Sequence, residues 1–224
     1  MERHFDEELK LLKQKLLVMA DTAQEMIGLA VKSLVDRKEE PAKQVFTLEE
    51  KVNRLEIEIE NEVLRLIARH QPAAGDLRLL TATLKINNDL ERVADQTCNI
   101  SETALYLLKE PPMKVIADIA HMASLAQKMI RDSIEAFVRH DSALAQKVCA
   151  DDDQVDKSRD KMFSELLAAM IKDPSLITRG VELILVGRNI ERIADHATNI
   201  GEEVIFIEQG KNIKHHIQEE DREA

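Results

Sequence analysis

Apolar residues recur at intervals of three and four along six long runs of this chain. Such spacing is typical of amphipathic helices, and no run shows the period of two that a half-buried strand would have. The prolines stand between these runs, at positions 41, 72, 111, 112 and 174. The pattern predicts helices over 5–38, 41–70, 76–109, 113–138, 142–172 and 176–208. We therefore expect an all-α chain of six long helices, antiparallel to their neighbours because the connections are short.

An internal repeat divides these helices into two groups of three. Glu91-Arg92-Val93-Ala94-Asp95 returns one hundred positions later as Glu191-Arg192-Ile193-Ala194-Asp195. Between 88–100 and 188–200, six positions are identical, and most of the others are swaps such as Leu90 for Ile190. The duplication predicts two tandem three-helix bundles, over 1–110 and 113–208, followed by a polar and flexible tail at 209–224.

Composition narrows the class of protein further. Hydrophobic residues make up 44% of the chain and aromatic residues only 3%, so the core must be built from aliphatic side chains, which suits helix packing. The formal net charge of −11 argues against nucleic acid as a partner, because phosphate contacts need a basic surface, and it favours binding of cations.

Cysteine content and the start of the chain indicate a compartment. Cys98 and Cys149 are too few for a disulfide framework, which favours a reducing environment. The N-terminus lacks the basic start and apolar run of a signal peptide, and no uncharged apolar stretch approaches eighteen residues. We therefore expect a soluble, cytoplasmic protein with no membrane span.

The repeated segment carries paired carboxylates. Glu91 and Asp95 are four residues apart, so on a helix they lie on one face, turned away from the apolar seam that contains Leu90 and Val93. Glu191 and Asp195 repeat this arrangement in the second half. These acids are predicted to line an outer groove between helices and not the core.

The second and fifth helices offer partners for these acids. Alignment of Val52 with Val155 matches Glu49 with Asp152 and Asn53 with Asp156. Two antiparallel helices with such pairs would bring several oxygen donors together, and the carboxylates would repel one another unless a cation neutralised them. Oxygen ligands suit hard cations such as Mg²⁺, Mn²⁺ or Ca²⁺, with iron as a further candidate, and several carboxylates could hold more than one ion.

Other interpretations of the acids stay open. Arg92 and Arg188 are placed three residues before Asp95 and Glu191, so ordinary surface ion pairs would also explain them. The survival of Glu, Arg, Asp and Asn in both halves favours a binding role. A carboxylate-bridged metalloenzyme is the alternative function, although the chain has no pair of Glu-x-x-His segments and no recognisable nucleophile or phosphate loop. A metal-free helical scaffold, in which the acids serve only as a solvated surface, is the second alternative.

Taken together, these motifs resemble those of the PhoU family of bacterial phosphate-uptake regulators. The resemblance rests on the tandem Glu-Arg-Val/Ile-Ala-Asp segments, on the pairs before Val52-Asn53 and Val155-Asp156, and on the stretch from His70 to Arg78, and it covers about residues 5–208. It implies a non-enzymatic negative regulator of phosphate uptake and of the phosphate-starvation two-component response. Such a protein would act as a cytoplasmic adaptor between the ATPase of the phosphate ABC transporter and a sensor histidine kinase, and would form a homodimer.

The resemblance also implies metal clusters on the outer surface of each bundle, with iron, Mg, Mn or Zn as the candidate ions. Carried across residue by residue, the ligands are Glu49, Glu91 and Asp95 in the first half and Asp152, Asp156, Glu191 and Asp195 in the second. Asn53 departs from the acid pattern, so the first site is expected to bind fewer ions.

Overall fold

Six long helices account for nearly all of the described chain. The computed structural model describes residues 2–113 and 116–210, and this part contains no strand. The helices are α1 (Glu2–Asp36), α2 (Glu39–His70), α3 (Ala74–Leu107), α4 (Ile116–Arg139), α5 (Ser142–Lys172) and α6 (Ile177–Gln209). A single 3-10 turn, Pro174–Leu176, leads into α6. The predicted all-α architecture is confirmed, and within the described ranges no helix is long and apolar enough to cross a membrane.

Local chemistry sets several helix ends. Asp141 caps α5, because its Oδ1 accepts a hydrogen bond of 2.9 Å from the backbone N–H of Leu144. Gln71 ends α2 in the left-handed conformation, with φ 48°. The fourth helix begins at Ile116, later than the predicted 113, with residues 114–115 outside the described part. Of the predicted tail, the described part includes only positions 209 and 210, where α6 ends.

The predicted apolar stripes form the core. Ile86, Leu90 and Val93 of α3 are fully buried, and so are Ile190 and Ile193 of α6. The first and second halves share this core, and the contact between α3 and α6 is the most extensive between any two helices. Both helices are therefore buried on more than one face, which a single heptad seam does not predict. The proposed division into bundles at residues 110–113 stays a prediction.

A buried polar contact crosses the interface between α3 and α6. The Asp89 carboxylate lies 2.9 Å from Nδ1 of His196 and accepts a hydrogen bond of 3.1 Å from Nδ2 of Asn199, all three side chains being mostly buried. Nearby, Nζ of Lys85 pairs with the buried Glu203 at 3.1 Å. Because buried polar groups are costly when unpaired, these contacts fix the register of the two helices.

Two arginines hold the connection between the halves. One amino group of Arg37 donates to the backbone carbonyls of Leu107, Leu108 and Glu110, at 3.2, 3.0 and 2.5 Å. Arg179 donates to the carbonyl of Pro111 at 3.0 Å. The carbonyls at a helix C-terminus have no partner within the helix, so these side chains satisfy the end of α3 and anchor the linker that follows it.

Candidate metal-binding faces

The first candidate site lies between α2 and α3 and is called the first face here; its residues are Glu49, Asn53, Glu56, Glu91 and Asp95. Burial raises the pKa of Glu91, and the neighbouring carboxylates of Asp95 and Glu56 raise it further, against the opposing charge of Arg92. The structure therefore brings acids from both helices close to one another, as the sequence predicts.

Cys98 extends the first face by one helical turn. Its thiol is buried, and burial together with the adjacent Glu49 carboxylate raises the pKa of Cys98 well above its usual range. The thiol is therefore protonated at neutral pH and is a poor nucleophile. Its place beside Glu49 shows that α2 turns this acid toward α3, where Glu91 and Asp95 also lie.

One oxygen of Glu91 is left without a hydrogen bond. Its Oε2 is buried, and Nε of Arg92 lies 3.3 Å away, within ion-pair range but without the geometry of a hydrogen bond. Arg92 instead donates to Oδ2 of Asp95 at 3.1 Å. This is the surface ion pair that the alternative interpretation predicts, yet it leaves an unsatisfied carboxylate oxygen, for which a cation would be a suitable partner.

The equivalent second face lies between α5 and α6; its residues are Asp152, Asp156, Arg159, Glu191 and Asp195. Burial raises the pKa of Asp152 to about 6, and the charges of Asp195, Asp156 and Glu191 add to the effect. Burial likewise raises the pKa of Asp195, with Asp156 as the next cause. All four predicted ligands of this half are thus near enough to repel one another.

Arg159 partly neutralises the second face. Its Nη1 donates to Oε1 of Glu191 at 2.7 Å and lies 3.5 Å from Oδ1 of Asp156. The pKa of Glu191 is still raised, because burial outweighs the attraction to Arg159. The sequence spacing predicts Arg188 as the partner of Glu191, but in the structure this glutamate pairs with Arg159 of the neighbouring helix α5.

Glu56 and Arg159 are residues of the two faces that the sequence reasoning missed. The signal was available, because extending the alignment of Val52 with Val155 by one helical turn places Glu56 opposite Arg159. Glu56 adds an acid to the first face, whereas Arg159 adds a cation to the second. The substitution of Asn53 for an acid is therefore not the only difference between the two faces.

An open groove of about 510 Å³ adjoins the second face. Its lining residues are Arg188, Glu191, Arg192, Asp195, His196, Thr198 and Asn199. The hydroxyl of Thr198 is buried there without a hydrogen-bond partner. His196 also lines the groove, and its Nδ1 lies 2.9 Å from Oδ1 of Asp89 on α3.

The side chains of the two faces are of the types that bind metal ions, but the structure does not arrange them around a common point. Clustered carboxylates with raised pKa values and an unpaired Glu91 oxygen form the donor set that hard cations prefer. Within the described ranges, however, no three Asp, Glu, His or Cys side chains stand around one point as a coordination site. Binding would therefore require these partly exposed side chains to change rotamer, and on the second face Arg159 would have to release Glu191.

A duplicated helical bundle with an acidic face on each half is the class of protein that this fold and these sites define. The chain belongs to the PhoU family, whose PhoU domain matches residues 16–104 and again 119–204. A phosphate-specific transport system accessory protein PhoU homolog from Aquifex aeolicus is 39% identical over 95% of this chain and 96% of its own length. Its counterpart from Pseudomonas aeruginosa is 35% identical over 95% of this chain and 88% of its own.

Solved structures agree with this assignment. The crystal structure of PhoU from Pseudomonas aeruginosa superposes with a TM-score of 0.90 at 35% identity, covering 92% of this chain and all of the other. The phosphate transport system regulatory protein PhoU from Streptococcus pneumoniae gives 0.86 at 26% identity, covering 93% of this chain and 98% of its own. The expected membership of the PhoU family is confirmed.

Proposed function

We propose that this protein is an accessory regulator of a phosphate-specific transport system. The observation that carries the proposal is the end-to-end match to the Aquifex aeolicus accessory protein, which leaves almost none of either chain unmatched. The regulation proposed is negative: when phosphate is plentiful, the protein restrains uptake and keeps the phosphate-starvation two-component response silent.

The proposed mode of action is that of a non-enzymatic cytoplasmic adaptor, with the transporter ATPase and a sensor histidine kinase as partners and a homodimer as the working form. The repeated acidic faces support the adaptor role, because each half carries one and a shared fold can then present two docking surfaces. Metal ions would be held by Glu49, Glu91 and Asp95 on the first face and by Asp152, Asp156, Glu191 and Asp195 on the second. A bound cation would supply the positive charge that offsets the mutual repulsion of these carboxylates.

The test is genetic and has a matched control. The gene is deleted in its source cell, and an alkaline phosphatase reporter of phosphate starvation is measured in phosphate-rich medium. We expect high activity that wild-type protein silences again. Glu191→Ala with Asp195→Ala should fail to silence it, whereas Asp21→Ala with Glu25→Ala should succeed, because that pair has the same spacing but is exposed on α1.

The outcomes separate the parts of the proposal. A silent reporter in the deletion strain would remove the regulatory role. Silencing by both double variants would keep the regulator but remove the acidic face from its mechanism, which leaves the metal-free scaffold. Loss of co-purification with the kinase or the ATPase in the Glu191 and Asp195 variant alone would support docking at the second face.

The groove beside the second face favours one second candidate, a carboxylate-bridged metalloenzyme. Arg188 and Arg192 line this groove together with Glu191 and Asp195, and arginines beside metal-binding acids are a common arrangement for phosphate esters. Hydrolysis of p-nitrophenyl phosphate is measured with Mn²⁺ or Mg²⁺ and with the Glu191 and Asp195 variant. Metal-dependent turnover that this variant loses would establish the enzyme, and background rates in every sample would remove it.

A further inference from the structure

A lysine, a histidine and a glutamate that belong to neither acidic face meet where α1, the α4–α5 turn and α6 come together. Nζ of Lys13, on α1, lies 3.2 Å from Nε2 of His140, in the turn between α4 and α5. Nδ1 of the same histidine lies 2.5 Å from Oε1 of Glu208, near the end of α6. The order Glu208, His140, Lys13 places a possible proton acceptor directly beside the amine.

The hydrogen bonds determine which nitrogen of His140 is free to act. When Nδ1 donates its hydrogen to Glu208, the neutral ring carries its lone pair on Nε2, and that atom faces the lysine amine. His140 lies in the turn with φ 56°, and its ring is held between Lys13 and Glu208 by these two contacts. The arrangement matches the general one in which a carboxylate orients a base and the base activates a nucleophile.

The surroundings of Lys13 favour the neutral amine. Burial lowers the pKa of Lys13, and the charge of Glu208 opposes the change without cancelling it. The Phe137 ring, with its centroid 5.9 Å from Nζ, adds apolar cover but also attracts an ammonium group. The amine is half-buried and not sealed, since the His140 side chain beside it is 45% exposed.

We propose that Lys13 is a modification site, at which the amine takes an acyl group from a small activated donor such as an acyl phosphate or an acyl thioester. His140 first accepts a proton from the Lys13 ammonium on Nε2. The free amine then attacks the acyl carbonyl carbon and forms a C–N bond. The C–O bond to phosphate, or the C–S bond to the thiol, breaks, and the electron pair leaves on oxygen or sulfur. The second amine proton goes to the leaving group or to water, and nothing is oxidised or reduced.

Acylation at this position would act on the contact between the halves. The modified side chain is neutral and bulkier, so it can no longer donate as an ammonium to His140. The contact that it weakens joins α1 of the first half to the α4–α5 turn and α6 of the second. Modification would therefore loosen one end of the shared core without touching either acidic face.

The experiment measures acetyl occupancy at each lysine by mass spectrometry. The full chain is incubated near pH 7.5 with acetyl phosphate in one arm and with acetyl coenzyme A in the other. Lys10 is the internal reference, because it lies on the same helix, three residues away, and is exposed. We expect Lys13 to be modified several-fold faster than Lys10 in at least one arm, and the arm identifies the donor.

The variant His140→Asn tests the role of the histidine, since asparagine tolerates the positive φ of this turn. We expect Lys13 in this variant to react no faster than Lys10, and the pH dependence of labelling to move toward higher pH. Circular dichroism checks that the variant is folded. Equal labelling of Lys13 and Lys10 in both arms would overturn the proposal, and so would faster labelling of Lys13 that His140→Asn leaves unchanged.

Discussion

The two acidic faces come from one duplicated design, and they differ at the residue one turn beyond the aligned valines. On the first face this residue is Glu56, which raises the pKa of Glu91 further. On the second it is Arg159, which donates to Glu191 at 2.7 Å. Equivalent helix positions thus carry an additional acid in the first half and an arginine in the second. The two halves share a backbone arrangement, but the charges on their faces differ.

This difference bears on which face would hold metal more tightly. Because Asn53 stands where the second half has an acid, the first face is expected to bind fewer ions, and this stays a prediction. Glu56 works against it by restoring an acid, and Arg159 works against it by occupying the second face.

The largest expected effect is loss of metal from one face at a time. Glu91→Ala with Asp95→Ala should empty the first face, and Glu191→Ala with Asp195→Ala the second, with affinity falling at least about 100-fold because charged ligands are removed. Elemental analysis of protein purified without a histidine tag measures the content, and Asp21→Ala with Glu25→Ala serves as the control. Equal content in all variants would place any bound metal elsewhere.

A smaller effect is expected from exchanging the residues that distinguish the faces. Arg159→Gln should raise the affinity of the second face for Mn²⁺ about tenfold, because Glu191 no longer has to leave a charge-assisted hydrogen bond. Glu56→Arg should lower the affinity of the first face by a similar factor. Calorimetric titration measures both, and Arg139→Gln, at an exposed arginine on α4, should change neither affinity.

Unchanged affinity in Arg159→Gln would show that the arginine moves aside at no cost. The comparison between the faces would then rest on Asn53 and Glu56 alone.

The smallest effect concerns stability without metal. The pKa of Asp152 is raised in the folded state from 3.8 to about 6, so the folded chain binds this proton more tightly than the unfolded chain. The contribution of this group to the free energy of unfolding is therefore greatest below pH 3.8, and it is lost as the pH rises through about 6. Asp152→Asn should raise the free energy of unfolding at pH 7.5 by roughly 1 kcal/mol, after allowance for solvent screening.

Urea unfolding at two pH values measures this change. The gain from Asp152→Asn should be present at pH 7.5 and should shrink toward zero as the pH falls below 3.8. Asp21→Asn, at an exposed aspartate on α1, is the matched control. A gain of equal size at both pH values would mean that repulsion among the carboxylates is not its source.

The sequence by itself determined the helices, their buried stripes and the positions of the repeated acids. Leu90 and Ile190 are buried because a period of three and four leaves a helix one apolar face to cover, and Asp141 caps α5 because its side chain can reach the next free N–H. These effects act between residues that are close in the sequence, so the sequence alone is enough to predict them.

Only the tertiary structure decided which side chains from separate helices meet. Arg159 reaches Glu191, His196 reaches Asp89, and Lys13 reaches His140, although 32, 107 and 127 residues separate the partners. Such contacts depend on the crossing and rotation of packed helices, above all on the contact of α3 with α6, and the hydrophobic period does not specify either. The charge balance of each acidic face, and the reactivity of Lys13, follow from that packing.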